Sequence, residues 1–155
     1  MNPGALSDEA LAALVTEAQV TLQKLGPARS ELLDRVRKFA ELYAALSQQP
    51  EGPALLYQTP DSAKVECHAI NQRLVVGRLS RREQNAAGCD LTFKDAEMSR
   101  IHFEIESSEG FYILRDRGSR NGTLLNQQPV GAQEAILKAG DIISAGNAIF
   151  IFTGN

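Results

Sequence analysis

From Ala54 onward the sequence is a series of short β-rich segments separated by turn residues, and this pattern limits the possible folds most strongly. Within 101–106 the apolar residues Ile101, Phe103 and Ile105 alternate with polar ones, so one face of that strand should lie in a core and the other in solvent. No helical pattern separates the segments, which favours an antiparallel all-β sandwich. The predicted strands are 54–58, 63–70, 73–78, 90–93, 101–106, 111–116, 123–126, 141–146 and 147–155.

The first fifty residues have a different, helical pattern. Ser7, followed by two acids, is a suitable helix start, and the apolar spacing predicts a helix over about 8–25 that ends at Gly26. A second helix with the same spacing should begin near Ser30, which together gives an N-terminal α-helical hairpin. Its apolar stripe could pack on the sandwich or pair with a second copy of the chain, and the pattern leaves both outcomes open.

A linker separates the two patterns. The segment 47–53, SQQPEGP, contains two prolines and a glycine but no apolar residue. The sequence therefore predicts two parts, the hairpin and linker at 1–51 and the sandwich at 52–155.

Composition argues against several classes of function. The formal net charge of -3 is unsuited to broad attraction to nucleic acid or to anionic lipid, so neither partner is expected. No apolar stretch is long enough to span a bilayer, and the acidic start lacks the features of a secretory leader, which together predict a cytoplasmic location. Cys67 and Cys89 have no metal-site spacing, and the chain lacks a phosphate-cradling glycine motif. We expect no metal, no cofactor and no enzymatic activity.

Four short motifs follow one another at the junctions between predicted strands and loops. They are Gly77-Arg78, Ser99-Arg100-Ile101-His102, Asn121-Gly122-Thr123, and Leu137 to Ile142 with Gly-Asp at its centre. Each motif alone is unspecific, and Asn-Gly in particular is a common turn signal. In this order and spacing, over about residues 54 to 153, they resemble the signature of the forkhead-associated (FHA) family.

The resemblance implies a β-sandwich of about eleven strands whose loops at one end bind a phosphothreonine peptide. By position, Arg78 and Ser99 would contact the phosphate with Arg100 beside them, and Asn121 would hold the peptide backbone. Arg120 could add a donor to the phosphate or face water. The residues expected to support the loops without touching the ligand are Gly77, His102, Gly122 and Thr123.

The chemistry of these residue types agrees with that reading. A phosphothreonine carries nearly two negative charges and three strong acceptor oxygens, and a guanidinium offers a planar fork of donors that matches them. Arginine also dominates the relevant part of the chain, where eight of the nine basic residues between 73 and 120 are Arg. Local binding of one anion is therefore expected on a chain that is acidic as a whole.

Two features depart from the family pattern. The segment LSRREQNAAGC at 79–89 is longer than usual and contains Arg81 and Arg82, which could form a solvated loop or bind a second acidic group. Glu97 occupies the loop that in this family helps to read the side chain three residues after the phosphothreonine, and an acid there should disfavour Asp or Glu at that position.

The sequence thus predicts a phosphothreonine-binding adaptor in bacterial Ser/Thr kinase signalling. Its expected partners are a phosphothreonine-containing protein and a Ser/Thr kinase, and the N-terminal helices could form a homodimer. The alternative is a phosphorylation-independent scaffold or assembly component of a secretion apparatus. Family members of that kind typically lack the Arg, Ser and Asn that this chain has.

Overall fold

The computed structural model describes residues 29–46, 52–58, 64–80 and 88–154, together with Ala12, Val15 and Thr16. Contacts between Cα atoms divide the chain into two compact units, Met1–Gln49 and Pro50–Asn155. The first unit contains one described helix, α1 (Arg29–Leu46), which begins one residue before the predicted start. The predicted helix over 8–25 lies almost wholly outside the described residues, and the three that are described there are helical.

The second unit is a two-layer β-sandwich, so the predicted fold class is confirmed. Its eleven strands are β1 (Ala54–Gln58), β2 (Val65–Ala69), β3 (Arg73–Arg78), β4 (Leu91–Phe93), β5 (Phe103–Ser108), β6 (Phe111–Asp116), β7 (Thr123–Leu125), β8 (Gln128–Pro129), β9 (Ala135–Ile136), β10 (Ile142–Ala145) and β11 (Ala148–Phe152). One sheet has the order β2-β1-β11-β10-β7-β8 and the other has the order β4-β3-β5-β6-β9. Among the helices that the structure describes, none has the length and apolar character to cross a bilayer.

The core lies between the sheets and is built from the alternate, inward-facing residues of each strand. Phe150 of β11 is central to it, because its ring contacts the rings of Phe93 and Phe103 with centroid separations of 5.2 and 5.4 Å in edge-to-face geometry. Phe93 immediately precedes the β4–β5 loop and Phe103 follows it. Both ends of that loop are therefore anchored in the core.

The expected antiparallel arrangement holds for all described strand pairs except β3 and β4, which run parallel with Val76 opposite Leu91. A parallel neighbour requires a connection of about a dozen residues to bring the chain back to the same edge. The long segment noted at 79–89 supplies that connection. Asp90 then fixes the register, because its Oδ2 accepts a hydrogen bond from the Val75 N–H at 2.9 Å while its own N–H donates to the Val75 carbonyl.

The predicted alternation over 101–106 holds only from Phe103 onward. Ile101 lies before the strand and is 36% exposed, whereas His102 is fully buried. Glu104 points out of the core as predicted but is also buried, because Arg73 and Arg117 cover its carboxylate with contacts of 2.6 and 2.5 Å. The alternation predicted that His102 and Glu104 would lie in solvent. Both are buried, because their side chains form hydrogen bonds within the fold.

Candidate functional site

Three segments of the sandwich meet at one end of the molecule: the end of β3, the β4–β5 loop (94–102) and the β6–β7 loop (117–122). The Arg78 N–H donates to the Ser99 carbonyl at 2.9 Å, and the His102 N–H donates to the Val76 carbonyl at 2.9 Å. These two bonds hold the β4–β5 loop directly against β3. Arg78 therefore lies beside Ser99 although they are far apart in sequence.

Gly77 makes this contact possible because it has no side chain. A Cβ added at this position would lie 1.9 Å from the Arg100 carbonyl oxygen and 2.8 Å from the Cys89 Sγ. The backbone of the β4–β5 loop occupies the space in which any other residue would place its first carbon. The Cys89 thiol completes the contact by donating to the Arg100 carbonyl at 3.1 Å.

Ser99 also joins the β6–β7 loop. Its Oγ accepts a hydrogen bond from the Arg120 N–H at 3.0 Å. Since the hydroxyl oxygen is the acceptor in this bond, its hydrogen can be donated to another group. Ser99 is half-buried, whereas Arg100 and Arg120 on either side of it are exposed.

His102 links the same two loops from below. Its Nδ1 accepts a hydrogen bond from the Ser99 N–H at 3.0 Å, so the hydrogen of a neutral ring lies on Nε2, which contacts the Gly122 carbonyl at 2.8 Å. The neutral Nε2–H tautomer therefore satisfies both bonds at once. Gly122 itself has a φ of +82°, the left-handed region in which glycine is favoured.

Asn121 of the β6–β7 loop forms a further connection to the β4–β5 loop. Its Nδ2 donates to the Glu97 carbonyl at 2.9 Å and to the Glu97 Oε2 at 3.0 Å. Both side chains are exposed. Every segment of the site is thus tied to another through at least one hydrogen bond.

Asp116 supports the β6–β7 loop from its base. Its Oδ1 accepts from the Ser119 N–H, and its Oδ2 accepts from the hydroxyls of Ser119 and Thr123 at 2.5 and 2.6 Å. Burial alone would raise the pKa of this carboxyl, but the hydrogen bonds from Ser119 and Thr123 outweigh it and hold the pKa below the usual range.

Asp116→Asn should therefore destabilise the sandwich by about 1–3 kcal/mol at neutral pH, because hydrogen bonds to a charged acceptor are lost. A depressed folded pKa means that the stabilisation is fully present above the unfolded pKa, about 3.9, and is lost as the pH falls through the folded pKa. Urea unfolding measures this effect: the difference in the free energy of unfolding between wild type and Asp116→Asn should be smaller at pH 3 than at pH 7. Asp34→Asn, at an exposed site on α1, is the control. If the stability difference between wild type and Asp116→Asn were the same at both pH values, the role given to the Asp116 carboxylate would be wrong.

A buried carboxylate, that of Asp95, fixes the β4–β5 loop to the turn between β10 and β11. Asp95 is only 9% exposed, and its Oδ2 accepts from the Asn147 N–H at 2.7 Å. Its Oδ1 accepts from the Asn147 side chain and from the Glu97 N–H, both at 3.0 Å. Gly146 leaves room for this contact, because a Cβ there would lie 2.7 Å from the Asp95 Oδ2.

The described arginines of the sandwich fall into two groups. On the outer face of the five-stranded sheet, Arg73, Arg115 and Arg117 are paired with acids, and Glu104 is held ionised, since hydrogen bonds from Arg73 and Arg117 lower its pKa despite burial. Within the part of the chain that the structure describes, the arginines of the site form no ion pair with a carboxylate. Those arginines are Arg78, Arg100 and Arg120.

The positions named from the sequence are all at this end of the sandwich. Arg78, Ser99, Arg100, Arg120 and Asn121 lie on the contacting segments described above. The residues expected to support them, Gly77, His102, Gly122 and Thr123, lie beneath, where His102 and Thr123 are 0% and 1% exposed.

Sequence reasoning assigned no role to Asp116, Asp95 or Asn147. For Asp116 a signal was present, because an Asp three residues before a Ser is typical of a turn in which the carboxylate accepts local hydrogen bonds. For Asp95 and Asn147 no local pattern exists, since they lie 52 positions apart. Among the described residues, no group of three or more His, Cys, Asp or Glu side chains could hold a metal ion.

Comparison with known proteins agrees with this geometry. Residues 74–146 match the model of the FHA domain. An FHA domain-containing protein of Arabidopsis thaliana is 39% identical over 72 residues, which are 46% of this chain and 17% of that protein. The oxoglutarate dehydrogenase inhibitor of Corynebacterium glutamicum is 36% identical over 63 residues, 41% of this chain and 43% of that protein. The chain thus spans less than half the length of either relative.

Solved structures show the same fold. A structure determined in a study of phosphothreonine-dependent FHA domain interactions superposes with a TM-score of 0.51 and 26% identity. The superposition covers 66% of this chain and 97% of that one.

Proposed function

Because its β-sandwich belongs to the forkhead-associated family, we propose that this chain is a phosphothreonine-peptide-binding adaptor without enzymatic activity. The family match and the likeness to a domain studied for phosphothreonine-dependent interactions support this proposal.

Each site residue has a role in the proposal. The Arg78 guanidinium binds the phosphate through paired donors, and the Ser99 hydroxyl donates a further hydrogen bond. Arg100 adds positive charge beside them. Asn121 binds the peptide backbone through the part of its amide that Glu97 does not occupy. Arg120 contributes a second cation near the phosphate.

One observation carries the proposal: three arginines without an ion-pair partner among the described residues lie on the hydrogen-bonded segments that carry the half-buried Ser99. The other described arginines of the sandwich are paired with acids, so the difference is local. Preorganised cations are favourable for a dianion because little reorganisation is needed when it binds. Backbone hydrogen bonds at Arg78 and Arg120 fix where two of these residues leave the main chain.

The wider role follows from this ligand. A domain that reads phosphothreonine needs a Ser/Thr kinase to write the mark and a protein to carry it, and these are the proposed partners. The chain would couple that kinase to a downstream protein in the cytoplasm. Pairing of two copies through the N-terminal helices remains a prediction of the sequence.

Titration of a degenerate phosphothreonine peptide library against the full chain tests the proposal. Binding should be lost on dephosphorylation, because each charge-assisted hydrogen bond to the phosphate contributes roughly 1.5–3 kcal/mol. Phosphoserine in place of phosphothreonine should bind more weakly if the loops pack against the extra methyl group.

The control is the same library without phosphate, measured at the same ionic strength. Equal affinity for phosphorylated and unmodified peptides would reject the adaptor function and leave the scaffold alternative. Fluorescence anisotropy at two salt concentrations separates specific binding from general attraction, since general attraction falls steeply with salt.

A further inference from the structure

The edge of the five-stranded sheet at β9 exposes an apolar patch. Ile136 of β9 is 56% exposed, and Phe111 of the neighbouring β6 is 55% exposed. Ile113 of β6 lies opposite Ile136 and is half-buried. Ala135 and Leu137 contact the core of the sandwich, so the alternation of the strand places Ile136 on the outer face. The patch therefore consists of Phe111, Ile113 and Ile136.

The backbone of β9 is also open on the side away from β6. Among the strands that the structure describes, β9 is the last in its sheet. The Leu137 N–H donates to the Tyr112 carbonyl at 2.8 Å, and the backbone groups of successive residues in an antiparallel strand point to opposite sides. The N–H and the carbonyl of Ile136 therefore point away from β6. Groups of this kind at a sheet edge are a template for a further strand.

Opposite charges flank Ile136 at equal distances along the chain. Glu134 lies two residues before it and Lys138 two residues after it, and both are exposed. The Glu134 Oε1 accepts a hydrogen bond from the Arg115 Nε at 2.6 Å. The Lys138 side chain forms no ion pair with any described residue. The segment 134–138 is therefore complementary in charge to a copy of itself that runs in the opposite direction.

Two copies of the chain can pair through this segment about a two-fold axis at Ile136. The two Ile136 residues then face each other and exchange two backbone hydrogen bonds, and Glu134 of each copy lies opposite Lys138 of the other. Charges on an edge strand usually prevent such pairing. Here the symmetry brings opposite charges together, so the same residues favour it.

We propose that β9 is a dimerisation edge, through which two copies of the chain join their five-stranded sheets into one continuous sheet. Ile136 supplies the backbone contact and the apolar centre, and Glu134 and Lys138 supply two symmetric ion pairs. The proposal is independent of the phosphopeptide site, because it uses none of the residues of that site. It also differs from the predicted pairing through the N-terminal helices.

The dimer should be weak. The Lys138 N–H and carbonyl are already bonded to Asp141, so the backbone contact is limited to Ile136. A contact of this size buries less surface than a stable interface, and we expect a Kd of about 0.05–0.5 mM. Sedimentation equilibrium of the full chain at concentrations up to about 1 mM covers this range.

Substitution of either charge should weaken the dimer. Glu134→Lys and Lys138→Glu each turn both opposite-charge contacts of the dimer into like-charge contacts, which should raise the Kd by about tenfold or more. Lys94→Glu is the matched control, because it makes the same change of charge at an exposed position of the β4–β5 loop. Its Kd should equal that of wild type.

A mixture of the two variants tests the geometry directly. Glu134→Lys has a base at both positions and Lys138→Glu has an acid at both, so one copy of each restores two opposite-charge contacts. The equimolar mixture should therefore associate with a Kd within about fivefold of wild type, although neither variant does so alone. Loss of stability in a single variant would not produce this recovery.

A cross-link supplies a second measurement that leaves the charges unchanged. Opposite residues of a hydrogen-bonded antiparallel pair have Cα atoms about 5.5 Å apart, a separation that a disulfide can bridge. Ile136→Cys should therefore form a covalent dimer on mild oxidation. Cys67 is exposed and is replaced by Ser in this experiment. Lys94→Cys in the same background is the control and should stay monomeric.

The outcomes decide the proposal in either direction. Recovery in the mixture together with the Ile136→Cys cross-link would support it. A wild-type chain that stays monomeric up to about 1 mM would overturn it. Association that is equal in wild type, Glu134→Lys and Lys138→Glu would place the contact elsewhere, for example in the N-terminal helices. A mixture that associates no better than its components, or a failure of Ile136→Cys to cross-link, would also show that β9 is not the interface.

Discussion

Arg78→Ala should weaken binding of a phosphothreonine peptide by about tenfold to a hundredfold or more. The Arg78 guanidinium is the group proposed to bind the phosphate through two parallel donors, and charge-assisted bonds of this kind contribute roughly 1.5–3 kcal/mol. No described carboxylate forms an ion pair with it in the free protein. Truncation therefore removes attraction for the ligand without breaking an ion pair within the described fold.

Two further variants make the Arg78 result specific. Arg78→Lys keeps the charge but loses the planar fork of donors, so its affinity should lie between those of wild type and Arg78→Ala. Arg37→Ala removes an exposed arginine from α1 and should leave affinity unchanged. Isothermal titration with one phosphopeptide measures all four proteins, and a loss of less than threefold in Arg78→Ala would show that another group binds the phosphate.

The strands that the sequence predicted best are those whose alternation is set by the core alone. In β5 and β6 the inward residues Phe103, Ile105 and Leu114 are fully buried, so periodicity was sufficient to place them. The prediction was wrong at Ile101 and His102, where the chain has not yet entered the strand. There the buried His102 side chain makes one hydrogen bond within the β4–β5 loop and one to the β6–β7 loop, and no hydrophobic pattern encodes these bonds.

Other parts of the fold depend on partners that are distant in sequence. Strands β8 and β9 have two residues each, too few for any periodicity, and Gln128 and Pro129 of β8 are poor strand formers taken alone. β8 forms because it pairs with β7, and β9 forms because it pairs with β6. The parallel β3–β4 pair was missed for a similar reason, because the direction of β4 depends on the path of a long connection and not on its own residues.

The candidate site could be predicted from the sequence because its residues occur in short motifs close to the ends of strands. Motif spacing predicted Arg78, Ser99 and Asn121 as site residues, but it could not predict that Glu97 accepts a hydrogen bond from the amide of Asn121. Such contacts require coordinates, because they join loops that only the folded sheet brings together. The hydrogen bonds between Asp95 and Asn147 likewise join two loops that are distant in sequence.

Gly77→Ala should destabilise the sandwich more than any other variant considered for this chain. The new Cβ would lie 1.9 Å from the Arg100 carbonyl oxygen and 2.7 Å from its carbonyl carbon, both of them backbone atoms that cannot rotate away. The β4–β5 loop would have to separate from β3, breaking the Arg78–Ser99 backbone bond. Steric overlap in a packed site and the loss of buried hydrogen bonds together predict a loss of about 3 kcal/mol or more.

Thermal unfolding followed by circular dichroism measures this effect, with an expected fall in Tm of about 12 °C or more for a sandwich of this size. Gly110→Ala is the matched control: it has a φ of +84° and open space around its Cα, so alanine there should cost only about 1–2 kcal/mol of backbone strain. If both variants lost the same stability, the close approach at Gly77 would not be the cause. Arg78→Ala should reduce the affinity for the peptide and leave Tm unchanged, whereas Gly77→Ala should reduce Tm. These two adjacent residues of β3 therefore distinguish contact with the ligand from support of the β4–β5 loop.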